Sequence, residues 1–152
     1  VIPQAMHVGT ADVPWVENVA YPGTWFRLLQ ADLTVGLYTM HGRMGAGLAV
    51  GTHRHHGAVH MFTLSGSWRY LEHGFLNTAG SYLYEPPGSV HTLEVPATNT
   101  ELTETFSVIY GTTEYLDAAG DVVGVSDAAA ALRGYLESCE AAGVPRPDGI
   151  IS

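Results

Sequence analysis

The chain has 152 residues and 16.2 kDa, 46% of them hydrophobic and 10% aromatic, enough to bury the core of one domain without disulfides or a structural metal. Fifteen acids stand against six arginines and no lysine, a formal charge of -9 that repels a phosphate backbone and excludes lysine Schiff-base chemistry of the pyridoxal or aldolase kind. No apolar run approaches the roughly 20 residues needed to cross a bilayer.

Residues 1–6 hold neither a basic region nor a long apolar stretch, so no signal peptide is read there and a cytoplasmic protein is expected. The start at Val1 suggests that a few residues precede it. Beyond it, glycine and other turn formers separate short segments rich in Val, Leu, Thr and aromatic residues. These predict strands over 24–29, 33–41, 46–55, 60–65, 68–72, 81–85, 91–95, 102–110 and 113–116, with a short one near 122–124, the rhythm of a sandwich or barrel.

One helix follows over 127–142, with Ser126 as N-cap and Gly143 and Pro145 closing it. Its apolar stripe of Ala131, Leu132, Tyr135, Leu136 and Cys139 predicts packing against the outside of the sandwich. Cys139 is the single cysteine and is expected to be a packed thiol. Residues 145–149 read as a loosely held extension.

The chemistry gathers in the middle of the chain. On a strand, side chains repeat every two residues, so His53 and His55 face the same way and can grip one metal ion, with His91 closing the triangle from a second strand. Alternation puts His91, Leu93 and Val95 inward and Thr92 and Glu94 outward, making His91 the one polar residue on an apolar face. Imidazole suits iron, copper, nickel and zinc alike, so the donor type does not choose the ion.

Gly47, five residues, His53-Arg-His55 and then Gly66, followed by Gly80, five residues and Pro86-Pro-Gly-Ser-Val-His91, resemble the two motifs of the cupin superfamily. The resemblance implies an all-β cupin jelly-roll barrel, a double-stranded β-helix, over about 24–124 with the C-terminal α-helix packed outside, all as one domain over 1–152. Most metal cupins place a glutamate four or five residues after the histidine pair, where this chain has Val59 and His60. A three-histidine site is therefore expected, with His60 a fourth ligand, a group hydrogen-bonding the substrate, or a structural residue.

Residues 52–73 and 79–95, with Pro22-Gly-Thr-Trp-Phe26 upstream, further resemble the 2,4'-dihydroxyacetophenone dioxygenase family. That family implies Fe(II) held by His53, His55 and His91, O2 as co-substrate, and cleavage of the carbon–carbon bond of an α-hydroxyketone to a carboxylic acid and formate. Three neutral imidazoles leave a dication uncompensated with positions open, which calls for an anionic chelating substrate.

Candidate proton acceptors are a bound hydroxide, His60, Glu85 and Glu72, the carboxylates having also the simpler reading of solvated side chains. Candidate pocket walls are Phe62, Trp68, Tyr70, Tyr82 and Tyr84. Open alternatives are a β-diketone-cleaving cupin dioxygenase, an O2-independent metal-dependent isomerase, lyase or cyclase, and a non-catalytic metal-binding cupin. The expected partners are a small-molecule ketone and a second copy of the chain, a homodimer or higher homo-oligomer formed through open sheet edges. Neither nucleic acid nor membrane is expected to bind.

Overall fold

The computed structural model describes residues 1–152. Twelve strands and one helix follow in order: β1 Val16–Glu17, β2 Thr24–Asp32, β3 Leu37–Met44, β4 Ala49–His55, β5 Val59–Ser65, β6 Ser67–Tyr70, β7 Asn77–Thr78, β8 Tyr82–Glu85, β9 Val90–Glu94, β10 Thr103–Tyr110, β11 Thr113–Leu116, β12 Val122–Ser126 and α1 Ala128–Ala141. They form two six-stranded antiparallel sheets, β1-β2-β3-β10-β5-β8 and β12-β11-β4-β9-β6-β7. Consecutive strands β4 and β5 lie in different sheets, as do β8 and β9, so the short turns between them cross from one layer to the other. This is the jelly-roll arrangement that the two motifs predict.

Turn chemistry moved the strand starts. The strand expected from residue 33 begins at Leu37, because Asp32 Oδ1 accepts the amides of Thr34 and Val35 and Gly36 takes a positive φ of 70°, building a tight turn from those residues. Asp127, not Ser126, caps α1, its Oδ1 accepting the Ala130 amide at 2.8 Å. The strands β1 and β7, two residues each, are too short to show any alternation in sequence.

The tail is also better held than its composition predicts. The Ala31 amide donates to Ile151 O and the Ile151 amide to Leu29 O, so the C-terminal residues add a parallel bridge to the outer side of β2.

The interior divides in two. Phe26, Leu28, Tyr38, Val59 and Ile109 pack with Tyr135 and Cys139 of α1, while Trp68, Tyr70, Leu93 and Val95 form a smaller cluster beneath β6 and β9. The helix packs against β1 and β2 with contacts to β3 and β12. There its small residues Ala130, Ala131 and Gly134 wall an internal cavity.

Gly66, the glycine that closes the first motif, turns the chain from β5 to β6 with φ 69°, and a Cβ there would lie 2.5 Å from Thr103 Oγ1 and 2.7 Å from Thr103 Cα. Gly66→Ala therefore combines left-handed backbone strain with a clash against backbone, and a loss of about 2 to 4 kcal/mol is expected in chemical denaturation.

Candidate metal centre

His53 and His91 are directly paired across β4 and β9, and His55 follows two residues on along the same face of β4. One ring nitrogen of each histidine lies within 4.8 Å of the others, and the ring centroids are 4.7 to 5.5 Å apart. All three are buried. His53 Nδ1 donates to Gly51 O at 2.8 Å and His55 Nδ1 lies 3.1 Å from Thr113 Oγ1. These bonds occupy the outer nitrogens and leave Nε2 of both rings as the free donor, the usual way a protein orients histidines toward a metal.

A carboxylate completes the cluster. Glu85 is 3% exposed, and its Oε2 lies 3.3 Å from both His55 Nε2 and His91 Nε2. Its Oε1 accepts the Tyr70 hydroxyl, and the Tyr70 ring stacks on His91 at 3.9 Å with an interplanar angle of 17°. Glu85 Oε2 and His91 Nε2 are both buried and have no hydrogen-bond partner, an arrangement that is unfavourable unless something else binds them.

A cation fits that requirement. Metal–ligand bonds of about 2.0 to 2.2 Å at tetrahedral or octahedral angles set neighbouring donor atoms roughly 3.0 to 3.5 Å apart, the separation seen between Glu85 Oε2 and the two imidazole nitrogens.

The cavity beside the centre has a volume of about 390 Å³ and is lined by His53, His55 and Tyr70 at one side and by Met40, Met61 and Ile109 among its apolar walls. This volume falls in the usual range for small-molecule sites. No carboxylate lines it; Glu85 sits behind the histidines.

The remaining candidates from sequence are placed elsewhere. His60 lies between inward Val59 and Met61 on β5, so it faces the outside of the sheet, where Nδ1 meets Tyr82 Oη at 2.7 Å and the ring packs on Tyr84. It does not reach the histidine cluster as a ligand or an acid–base group. Phe62, 40% exposed, and Tyr84, 51% exposed, share that outer face and do not line the cavity.

Trp68 is a core residue, fully buried with Nε1 donating to Thr63 Oγ1 at 2.9 Å and its ring edge against Tyr70. Of the five candidate pocket walls, Tyr70 alone lines the cavity. Glu72 is exposed and accepts the Thr92 amide at 2.8 Å, while His56 pairs with Glu114 at 2.9 Å on the surface.

The structure adds residues that the motifs do not mark. Thr113 and Tyr115 of β11 lie opposite His55 and His53, Thr113 orienting His55 and Tyr115 placing its ring 6.0 Å from His53. The alternation of 113–116 was the available signal, but only the pairing of β11 with β4 gives it meaning.

A family model described as the ChrR cupin-like domain matches residues 3–114. The chain belongs to that family. Among solved structures, this cupin is similar to a protein of unknown function with a cupin-like fold from Ralstonia eutropha JMP134, at 31% identity and a TM-score of 0.88 over 99% of this chain and 93% of that one. It is similar also to an RmlC-like cupin protein of the same organism, at 28% identity and TM-score 0.85 over 94% and 93% of the two chains. At 18% identity the acetylacetone dioxygenase of Acinetobacter johnsonii shares the fold, with a TM-score of 0.75 over 91% of this chain and 94% of that one. Among curated proteins none matches the sequence.

The environment sets the charge state of this cupin's centre. Burial lowers the pKa of His53, and that of His55 to about 4, more than the nearby Glu85 charge restores it, so both stay neutral and able to ligate near neutral pH. Burial alone would raise Glu85, but His91, His55 and the Tyr70 hydroxyl outweigh it and hold the carboxyl below its ordinary value.

The signs combine in one direction. Between His55's ordinary value of 6.5 and about 4, the unfolded chain binds a proton that the folded one refuses. Below the ordinary carboxylate value of 4.5, the unfolded chain likewise protonates Glu85 first. The metal-free protein is therefore expected to lose stability as pH falls from 6.5 toward 4, with His53 adding to His55 in that range. Denaturation midpoints measured against pH in the presence of a chelator check this; a flat profile over that range would contradict it.

Proposed function

We propose that this cupin is a non-haem iron dioxygenase that cleaves the carbon–carbon bond of an α-hydroxyketone, such as a hydroxyacetophenone, with O2 to give a carboxylic acid and formate. The observation that carries the reading is the buried cluster of three histidines and Glu85, with two orphaned donor atoms facing one another, at the side of an apolar cavity. In such a reaction one O2 adds to ArCOCH2OH and the bond between the carbonyl and hydroxymethyl carbons breaks, so that ArCOOH and HCOOH account for every atom.

The residues that would hold an ion are His53, His55 and His91, with Glu85 as a further donor beside them. A redox-active divalent ion held there would supply Lewis acidity to a chelating ketone and a path for the substrate's electrons to O2. Gly51 O and Thr113 fix the rings of His53 and His55, and Tyr70 holds Glu85 by its hydroxyl and His91 by its ring face. Glu85 supplies one negative charge, so a singly ionised substrate completes the neutralisation of a dication. The sequence alone implied a centre with no carboxylate; Glu85 halves the charge left for the substrate to offset.

With no carboxylate on the cavity wall, the proton that a chelating hydroxyketone gives up leaves toward solvent, which the lining reaches at exposed Ala20. The apolar walls keep bulk water from competing for the chelating positions.

A β-diketone offers the same two oxygens and acidic proton, and the acetylacetone dioxygenase fold relative makes it the second reading. Metal analysis of protein purified without chelator, with O2 uptake on hydroxyketones and β-diketones, decides between them. Uptake matched one to one by formate release on hydroxyketones is expected. Uptake confined to β-diketones selects the second reading, and turnover without O2 contradicts both.

A further inference from the structure

The inner face of β10 carries hydroxyls into a cavity whose lining is mostly apolar. Thr103, Thr105, Ser107 and Ile109 point inward, while Glu104, Phe106 and Val108 take the outer face, the reverse of what the apolar residues of this strand would favour. An inward hydroxyl needs a partner. Thr103 has one, its Oγ1 donating to Ser67 O at 2.9 Å. Across the same sheet Thr63 accepts from Trp68 Nε1 at 2.9 Å, and on the facing sheet Thr113 meets His55. Thr105 and Ser107 make no side-chain hydrogen bond to the protein, although they are only 5% and 1% exposed, and both line the cavity.

Their neighbours leave them uncovered. Thr105 faces Gly42, which has no side chain, across β3 and Thr63, whose hydroxyl already accepts from Trp68, across β5, and Ser107 lies between Met40 and Met61, which offer only thioethers. β10 is an inner strand of one sheet, whereas the histidines stand on β4 and β9 of the other. The cavity of about 390 Å³ between them is large enough for an aromatic ring with a substituent at each end.

Resting on the reading of this cavity as a ketone site, we propose that Thr105 and Ser107 form a second polar foothold, selecting substrates that carry a hydrogen-bonding group at the end remote from the chelating oxygens. The substrate then has two polar ends joined by an apolar ring or chain. One end is held at the histidines and the other at β10, while the methionines and Ile109 pack the middle. Thr105 and Ser107 touch the substrate without taking part in the bond-breaking step.

The test uses the whole metal-free protein and probes that lack the α-hydroxyl. Calorimetric titration compares acetophenone with its 3'- and 4'-hydroxy derivatives in wild type, Thr105→Val and Ser107→Ala. At least one hydroxy derivative is expected to bind about tenfold or more tightly than acetophenone in the wild type, as one well-placed hydrogen bond allows. At least one variant should abolish that preference while leaving acetophenone binding unchanged.

Equal affinity for all three probes, a preference that survives both substitutions, or no binding of any probe overturns the foothold. O2 uptake with a chelating hydroxyketone reads the reaction separately. Uptake without discrimination removes the foothold alone; discrimination without uptake removes the dioxygenase reading and leaves the foothold standing.

Discussion

His91→Ala is expected to abolish specific metal binding and to bring O2 uptake to background, a fall of roughly 10³-fold or more when one of the few donors of a catalytic ion is removed. His91 stands at the middle of the cluster. It is paired with His53 across the sheet, 3.3 Å from Glu85, and stacked on Tyr70, and its Nε2 has nothing else to bind. Alanine leaves the Glu85 carboxylate buried with one neighbouring imidazole fewer, so a loss of stability in the metal-free protein accompanies the loss of metal. Metal content after gel filtration and O2 uptake measure the first effect, and denaturation the second. Unchanged metal content with unchanged uptake would remove the three-histidine centre from the account.

Glu85→Gln carries the second large effect. If Glu85 is a donor to the ion, the neutral amide weakens metal binding by roughly 10- to 100-fold or more, and O2 uptake recovers in part when excess metal is supplied. Tyr70 can still bond the amide, so the surrounding packing is preserved. Full metal retention with a large fall in turnover would instead make Glu85 a proton acceptor from behind the histidines, in place of proton loss to solvent. Metal affinity measured beside turnover, in the same variant, separates the two roles.

The metal centre was legible in sequence because it depends on the strictest rule of strand geometry. His53 and His55 share a face by their spacing alone, and His91 follows from the turn and the apolar Leu93 and Val95 on its side. The same rule, applied to hydropathy, misled elsewhere. In Tyr82-Leu-Tyr-Glu85 the pattern favours tyrosines inward and the acid outward, yet β8 buries Glu85 and exposes both tyrosines. The cause is the turn from Pro86, which carries the chain from one sheet to the other and brings the end of β8 against the histidines.

His60 shows the converse. His53 and His55 face inward at the end of β4, past the bulge that follows Val50, and odd-numbered residues face inward on β5, so the turn at 56–58 keeps His60 and Phe62 on the outer face. Whether a three-residue crossing preserves that parity cannot be told from composition. On β10 three hydroxyl residues face in beside Ile109 while Phe106 and Val108 face out, an inversion that only the pairing with β3 and β5 reveals. Sequence thus located the three histidines and the fold, while the carboxylate beside them and the cavity wall depended on strand crossings.

The most direct test of the proposed reaction is turnover of an aryl hydroxyketone under 18O2 by the iron-loaded protein, with mass analysis of both products. One 18O in the carboxylic acid and one in formate is the expected result. Products formed without label, or formed equally well without O2, would contradict it.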